Sequence, residues 1–360
     1  MKVAIVAGIV VEHDAISASV VGQAAILKSI PTIDSVVVFA QHISRDISCR
    51  SFEVDDAWSL AIHPEFADCD VAIFHWGIYY RLFDVLTLVA SSARARPVVH
   101  FHNCTPRELV AETDRDLIDR SIAQVEHAIS LGVTFWTFSE FNWGTLIDWG
   151  TPSDQIRFVP IPIELPTYKA TRRRDAVVQL LTVGRRVPAK GLHVLLDALG
   201  QVPGEIRSNV HLTIAGSSTF TAPGYIASLH ELIDRYDLDS LVEFVDEPTD
   251  EELWLLYCAS DVVVSCSFHE GLCVPIIEGY SVGCRAIGTT AGNLPFVVQR
   301  PDPCVDPGDP HSLAEAIAAM VESVGRATER TSLHDDFVQQ YSIANTRRCL
   351  QRGLYHLIAL

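Results

Sequence analysis

Short apolar runs alternate with longer segments of helical spacing along the first half of the chain, which predicts parallel β-strands joined by helices. The predicted strands are VAIVAGIV (3–10), SVVVFA (35–40), VAIF (71–74), PVVHFH (97–102) and VTFWTFS (133–139), and the clearest helical stretches are Val20–Ile30 and Leu82–Ser92. Because parallel strands end at one edge of a sheet, polar residues that follow them are candidate functional residues. They are Gly8, His13, Asp14, His75, Trp76, His102, Asn103, Ser139 and Glu140.

The same pattern restarts after a proline-rich passage, FVPIPIELPTY (158–168), which predicts a second domain. Its predicted strands are VQLLTVG (178–184), VHLTIAG (210–216), LVEFVD (241–246), DVVVSCS (261–267) and CRAIGT (284–289). Thr249 and Glu252 form a capping-box pattern ahead of a helix. We therefore expect an α/β protein with domains at 1–165 and 175–340, followed by a terminal helix over 341–360.

Composition fits two cytoplasmic domains. The chain has 360 residues, 48% of them hydrophobic, and a net charge of -18, which argues against nucleic acid as a partner. Nine cysteines without a Cys-x-x-Cys pair favour reduced thiols, and we expect neither a signal peptide nor a membrane span. The densest basic segment, Lys169–Arg174, is either a solvated linker or a contact with acidic lipids at the inner face of the membrane.

The segment HEGLCVPIIE (269–278) carries the strongest chemical signal. Pro275 suits the first turn of a helix that Gly283 would end. The backbone N–H groups just before this helix would be free to bind an anion such as a diphosphate; they belong to Gly271, Leu272, Cys273 and Val274. Glu270 and Glu278 would then contact sugar hydroxyls and a ribose diol. The alternative is that Glu270 only stabilises the helix dipole and Glu278 is simply exposed.

Two cations follow the first strand of the second half. Arg185 and Lys190 lie five positions apart in the loop VGRRVPAKG. Facing the same helix N-terminus, they would neutralise a diphosphate leaving group without a metal ion. The alternative is an exposed basic loop.

Histidines mark the end of one strand in the first half. His100 and His102 alternate along HFHN, so we expect their side chains to point to opposite faces. His102 is nearer the strand end and is either a structural residue or a functional one. The acidic pairs at 114/116 and 237/239 lie in helix-like surroundings, and we predict no metal site and no cofactor.

Taken together, VGRRVPAKG, IAG, the segment VEFVDEPTDEELWLLYCASDVVVSCSFHEGLCVPIIEGYSVG and TTAGNLPFVV resemble the donor half of the group 1 (family 4) retaining glycosyltransferases. The resemblance covers residues 178–320. It implies the GT-B fold, with two Rossmann-like parallel-sheet domains facing across a cleft and the terminal helix packed back on the first domain. It assigns the donor diphosphate to Arg185 and Lys190, the transferred sugar to Glu270 and the ribose to Glu278.

Further positions follow from the same resemblance. Gly184, Gly216 and Asp246 are expected on the donor side, Asp246 with a weak preference for guanine. PVVHFHNCTPREL is similar to an acceptor-side segment of the family, which makes His102 the expected catalytic histidine. His13, Asp14 and Asn103 are expected near the acceptor.

The implied reaction moves a hexose from a GDP- or UDP-sugar to a hydroxyl of a carbohydrate, glycolipid or small molecule, with retention and without metal, as in exopolysaccharide or glycolipid synthesis. Leu272 and Cys273 depart from the family's Glu-Gly-Phe-Gly, and Phe296 replaces an acid, so a nucleotide-sugar epimerase and a catalytically decayed sugar-nucleotide-binding protein are the alternatives.

Overall fold

A computed structural model describes residues 1–12, 14–92, 94–165, 177–219, 221, 223–326 and 334–359. The chain forms two compact units, Met1–Glu164 together with Gln339–Leu360, and Leu165–Val338. The basic segment 169–174 lies outside the described residues.

A seven-stranded parallel sheet forms the centre of the first unit, in the order β5-β3-β1-β6-β7-β8-β9. The strands of this unit are β1 Lys2–Val6, β2 Ile9–Val10, β3 Ser35–Ala40, β4 His42–Ile43, β5 Arg50–Glu53, β6 Val71–Trp76, β7 Arg96–Phe101, β8 Thr134–Thr137 and β9 Ile156–Phe158. Its helices are α1 Ala15–Lys28, α2 Ala57–Ala61, α3 Pro64–Ala67, α4 Leu86–Ala90, α5 Arg115–Ser130 and α6 Glu140–Asp148. Strands β2 and β4 pair separately.

The second unit repeats this plan with six parallel strands in the order β12-β11-β10-β13-β14-β15. The strands are β10 Val178–Val183, β11 Val210–Ala215, β12 Val242–Val245, β13 Val262–Val264, β14 Arg285–Thr289 and β15 Cys304–Val305. The helices are α7 Leu192–Gln201, α8 Gly204–Arg207, α9 Pro223–Tyr236, α10 Asp250–Ala259, α11 Val274–Ser281, α12 Leu294–Val297 and α13 Pro310–Arg326.

Two further helices end the chain, α14 Asp335–Gln339 and α15 Ile343–Ala359. Helix α15 lies in the first unit, where Leu350, Leu354 and Leu357 are buried in the same apolar cluster as strand residues of β1, β3 and β6. Within the described ranges, no helix is long and apolar enough to cross a lipid bilayer.

Candidate functional site

Close backbone packing brings the loop after β10 against the segment that follows β13. A short 3-10 turn, Pro188–Lys190, ends at Gly191, whose φ is 67°. A Cβ on Gly191 would lie 2.1 Å from the carbonyl oxygen of Cys266, so only glycine fits there. This approach holds Lys190 beside the chain that leads into Glu270.

Lys190 and Glu270 form a direct ion pair. The Lys190 Nζ donates to Glu270 Oε1 over 2.6 Å, and Ser267 Oγ donates to the same oxygen over 2.7 Å. Burial is the largest single effect and lowers the pKa of Lys190, but the charge and hydrogen bond of Glu270 together with the charge of Cys273 outweigh it, so the net pKa of the ammonium is raised. Lys190 therefore stays cationic across the physiological range.

Helix α11 begins with an unusual N-cap. Cys273 adopts φ 70° and ψ 67°, a left-handed conformation that favours glycine. The helix then runs from Val274 to Ser281, one residue earlier than Pro275 suggested. The N–H groups of 271–274 lie at or before its first turn and have no acceptor within the helix. A helix end whose first N–H groups have no intrahelical acceptor thus lies directly after Glu270.

Glu278, one turn inside α11, is not simply exposed, so that alternative is wrong. Tyr257 on α10 donates its hydroxyl to Glu278 Oε2 over 2.6 Å. Burial raises the pKa of Glu278 to about 7, although the Tyr257 hydrogen bond opposes the shift. The carboxyl group is half-buried and fixed by a partner from the neighbouring helix.

A pocket opens at the carboxyl ends of β10 and β13, as expected for a parallel sheet. Its lining includes Thr182–Arg185, Lys190, Leu192, Ile214 and Ser265–Ser267. At this edge of the sheet, Gly216 at the end of β11 packs directly against the backbone of Gly184. A Cβ on Gly216 would lie 2.2 Å from the Gly184 carbonyl oxygen. Arg185 is exposed at the rim. The pocket is thus lined by two cations, by serine and threonine hydroxyl groups and by the backbone of Gly184.

Asp246 forms an ion pair with a buried arginine. Arg186, only 5% exposed, donates through Nη1 to Asp246 Oδ1 over 2.7 Å and stacks 4.7 Å from the Phe244 ring centroid. The neighbouring Glu247 accepts from the hydroxyls of Ser217 and Thr219. Sequence reasoning missed Arg186, although it follows Arg185 directly, and it missed the roles of Ser267 and Tyr257, which no spacing rule signals.

Three histidines meet in the first unit, contrary to expectation. The rings of His100 and His102 lie 5.1 Å apart, so the prediction that they point to opposite faces is wrong. Side chains alternate along a strand with a period of two, so residues two positions apart, such as His100 and His102, share one face. His75 Nδ1 lies 2.9 Å from His102 Nε2. One ring nitrogen from each histidine falls within 4.8 Å of the others, a spacing in which a metal ion could be held.

These imidazoles are neutral at physiological pH. Burial lowers the pKa of His100 to about 3. Burial and the neighbouring rings hold the pKa of His75 and of His102 well below the usual range. His75 and His100 are fully enclosed, whereas His102 is half-buried.

The remaining acceptor-side residues have local structural contacts. Asp14 caps α1 by accepting from the Ser17 backbone N–H and hydroxyl, each over 2.7 Å. Asn103 adopts φ 68° and donates to Asn142 Oδ1 over 2.9 Å. His13 lies outside the described residues.

Comparison with known proteins identifies the second half. Residues 169–332 match the family described as glycosyl transferases group 1. This part of the chain is a group 1 glycosyltransferase domain. O-antigen chain mannosyltransferase B of Escherichia coli is 29% identical over 141 residues, which are 39% of this chain and 35% of that protein. D-inositol 3-phosphate glycosyltransferase of a Nocardioides species is 32% identical over 161 residues, 41% of this chain and 35% of that one. The chain thus spans well under half the length of these relatives.

Solved glycosyltransferases share the fold of both units. HepE of Anabaena, crystallised with UDP and glucose, has a TM-score of 0.75 at 18% identity and matches 99% of this chain and all of its own. Sucrose-phosphate synthase of Thermosynechococcus elongatus has a TM-score of 0.77 at 17% identity, over the full length of both chains. The group 1 domain and its partner unit therefore have the GT-B fold, as predicted.

Proposed function

We propose that this protein transfers a hexose from a nucleotide sugar to an acceptor hydroxyl with retention of anomeric configuration and without a metal ion. The observation that carries the proposal is the Lys190–Glu270–Ser267 cluster beside the open N-terminus of α11. A cation, an acid and free backbone donors converge there, which suits an anionic leaving group attached to a hydroxylated ring.

In this proposal, the donor diphosphate lies between Arg185, Lys190 and the N–H groups at the start of α11. As the bond to the sugar breaks, negative charge grows on the departing phosphate, and preorganised donors stabilise it most when they need not move. The Gly191–Cys266 packing supplies this rigidity for Lys190. Glu270, held by Lys190 and Ser267, then accepts hydrogen bonds from the sugar hydroxyls.

Glu278 is proposed to accept from the ribose diol, with Tyr257 fixing the carboxyl group. We propose uracil as the base. Asp246 Oδ1 is paired with the buried Arg186, so reading guanine N–H groups would compete with this ion pair. HepE, which shares the fold, was crystallised with UDP-glucose. A GDP-sugar is the competing donor, since two of the related proteins are named mannosyltransferases.

The acceptor is proposed to be a carbohydrate or a glycolipid, because the relatives include an O-antigen chain mannosyltransferase and an inositol-phosphate glycosyltransferase. A lipid-linked acceptor implies a cytoplasmic protein that visits the membrane surface. His102 in the first unit is proposed as the catalytic histidine.

Calorimetric titration with UDP-glucose, GDP-mannose, UDP and GDP, followed by transfer assays with and without EDTA, tests the proposal. We expect Lys190→Ala to lower kcat/KM by about a hundredfold or more, the scale for one preorganised donor. The control Lys28→Ala removes an exposed lysine outside the pocket and should leave transfer unchanged. Near-normal transfer by Lys190→Ala would contradict the assignment.

Donor supplied without acceptor separates the alternatives. An epimerase would isomerise the sugar, and a binding protein would bind the nucleotide sugar with no turnover across an acceptor panel. A transferase should release UDP at a rate that depends on the acceptor.

A further inference from the structure

Gln23 on α1 connects the histidines of the first unit into one hydrogen-bonded chain. It is fully buried. Its Oε1 lies 2.8 Å from His75 Nε2, and its Nε2 lies 3.2 Å from His100 Nδ1. Together with the 2.9 Å contact between His75 Nδ1 and His102 Nε2, four side chains follow one another without a break. Both ends of the buried amide thus have side-chain partners, and a buried network of this kind holds its side chains in a single arrangement.

The chemistry of the amide sets the direction of this chain. Gln23 Oε1 can only accept, so His75 must carry its proton on Nε2. The Nδ1 of this neutral ring is then an acceptor, and His102 must donate to it from Nε2. Neutral His102 consequently carries no proton on Nδ1. Reversing the amide of Gln23 would reverse every proton in the chain, so this one side chain determines the tautomer of His102.

A metal ion does not fit the same contacts. Ligation by all three rings needs His75 to bind through Nδ1 and His100 through Nε2, with N–H groups left on His75 Nε2 and His100 Nδ1. Both N–H groups would face Gln23, but its amide presents one acceptor and one donor to them. The hydrogen-bonded chain satisfies both the acceptor and the donor of the Gln23 amide, and the metal does not.

We propose that Gln23 and His75 are positioning residues that hold His102 in the Nε2–H tautomer, leaving Nδ1 as a hydrogen-bond acceptor. Nδ1 of His102 has no partner among the residues that the structure describes, and the ring is half-buried. An acceptor nitrogen of this kind suits a sugar hydroxyl rather than a phosphate oxygen, because the hydroxyl can donate and the phosphate cannot. The catalytic consequence rests on the proposed transferase function, whereas the tautomer itself does not.

Nitrogen NMR of histidine-labelled protein tests the tautomer without any substrate. The His102 signals are assigned by their loss in His102→Asn. In the natural protein we expect Nε2 to be protonated and Nδ1 to be unprotonated. Gln23→Leu removes the fixed acceptor from His75, and a buried unpaired N–H is costly, so His75 should move its proton to Nδ1. Protonated Nδ1 of His102 should then account for half of the molecules or more.

Gln124→Leu is the matched control, because Gln124 is also buried in the first unit but bonds to Tyr80 and Asp84 instead. It should leave the His102 signals unchanged, and this excludes a general effect of losing a buried amide. Gln23→Glu is the second variant if Gln23→Leu does not fold. Its carboxylate accepts from both histidines, so His102 should keep protonated Nε2 while His100 moves its proton to Nδ1.

Kinetics connect the tautomer to the reaction. If kcat follows the fraction of molecules with the correct tautomer, Gln23→Leu should lower kcat about twofold or more while the donor KM stays constant. Absence of transfer in every variant, with the NMR pattern as expected, would count against the transferase and leave the tautomer inference intact. Protonated Nδ1 of His102 in the natural protein, or no change in Gln23→Leu, would overturn the inference. Stoichiometric zinc binding that shifts all three histidines would overturn it in favour of a metal site.

Discussion

Gly292 keeps the backbone of Glu270 in place, and its replacement should affect both stability and turnover. Its φ is 55°, and a Cβ would lie 2.4 Å from the Glu270 carbonyl oxygen and 2.7 Å from its nitrogen. We expect Gly292→Ala to destabilise the protein by more than about 1 kcal/mol in urea unfolding and to reduce transfer, since the displaced backbone carries the acid.

Gly204 is the matched control for that substitution. It begins α8, no atom lies within 4 Å of its Cβ position, and its φ is not positive. Gly204→Ala should be neutral or slightly stabilising. Equal unfolding midpoints for Gly292→Ala and Gly204→Ala would contradict the proposed packing.

The pKa of Glu278 predicts a pH dependence of stability. Burial raises this pKa to about 7 from 4.5, so between these values the folded protein binds more protons at this site than the unfolded chain. Its stabilising effect is present below about pH 4.5 and is lost as the pH rises through 7. The melting temperature of Glu278→Gln should therefore rise relative to that of the natural protein as the pH increases from 5 to 8. A constant difference across this range would show that Glu278 titrates normally.

At the residue scale, spacing identified the groups of the pocket but not their contacts. Glu270 and Lys190 are 80 positions apart, and the sequence indicated that each was near an anion, not that they bond to each other. Their pairing depends on the Gly191–Cys266 approach, which is a tertiary contact. The predicted direction of His102 was wrong for a different reason, because residues two positions apart on a strand share one face.

Strong periodicity predicted the main strands and helices, and weak periodicity failed at the edges of the sheets. SVVVFA is a strand over the predicted residues 35–40. The edge strands β5, β9 and β15 were missed because they are only two to four residues long. The predicted strand 261–267 ends at Val264, and residues 265–267 line the pocket.

The capping box of α10 is an element whose prediction the structure confirms. Thr249 Oγ1 accepts from the Glu252 N–H, and the Glu252 carboxylate accepts from the Thr249 N–H. We expect Thr249→Ala to cost about 1 kcal/mol of stability. Helix α10 also carries Tyr257, which donates to Glu278, so Thr249→Ala should also raise the KM for the donor modestly. Glu251→Gln, an exposed change in the same turn, should alter neither quantity.

At the scale of the whole molecule, α15 completes the first unit. Leu350 is fully buried against that unit, whereas Ile358 on the same helix is 53% exposed. Leu350→Ala should cost about 2 to 5 kcal/mol of unfolding free energy, and Ile358→Ala should cost far less. Similar losses for the two variants in urea titrations would show that α15 contributes little to the core.

The parallel-sheet plan of each unit follows from the alternation of apolar runs and helices, so the fold was predictable from the sequence. The donor pocket was predictable in outline, because the family motifs lie at strand ends. The histidine chain was not, since it joins α1, β6, β7 and the residue after β7 through a buried glutamine that no motif marks.

The central claim is that the second unit binds a diphosphate with Lys190 and the amino end of α11. A crystal structure with UDP bound tests it most directly. We predict phosphate oxygens within hydrogen-bond distance of Lys190 Nζ and of N–H groups among residues 271–274. UDP bound elsewhere, or a diphosphate in the pocket with Lys190 turned away from it, would contradict the account.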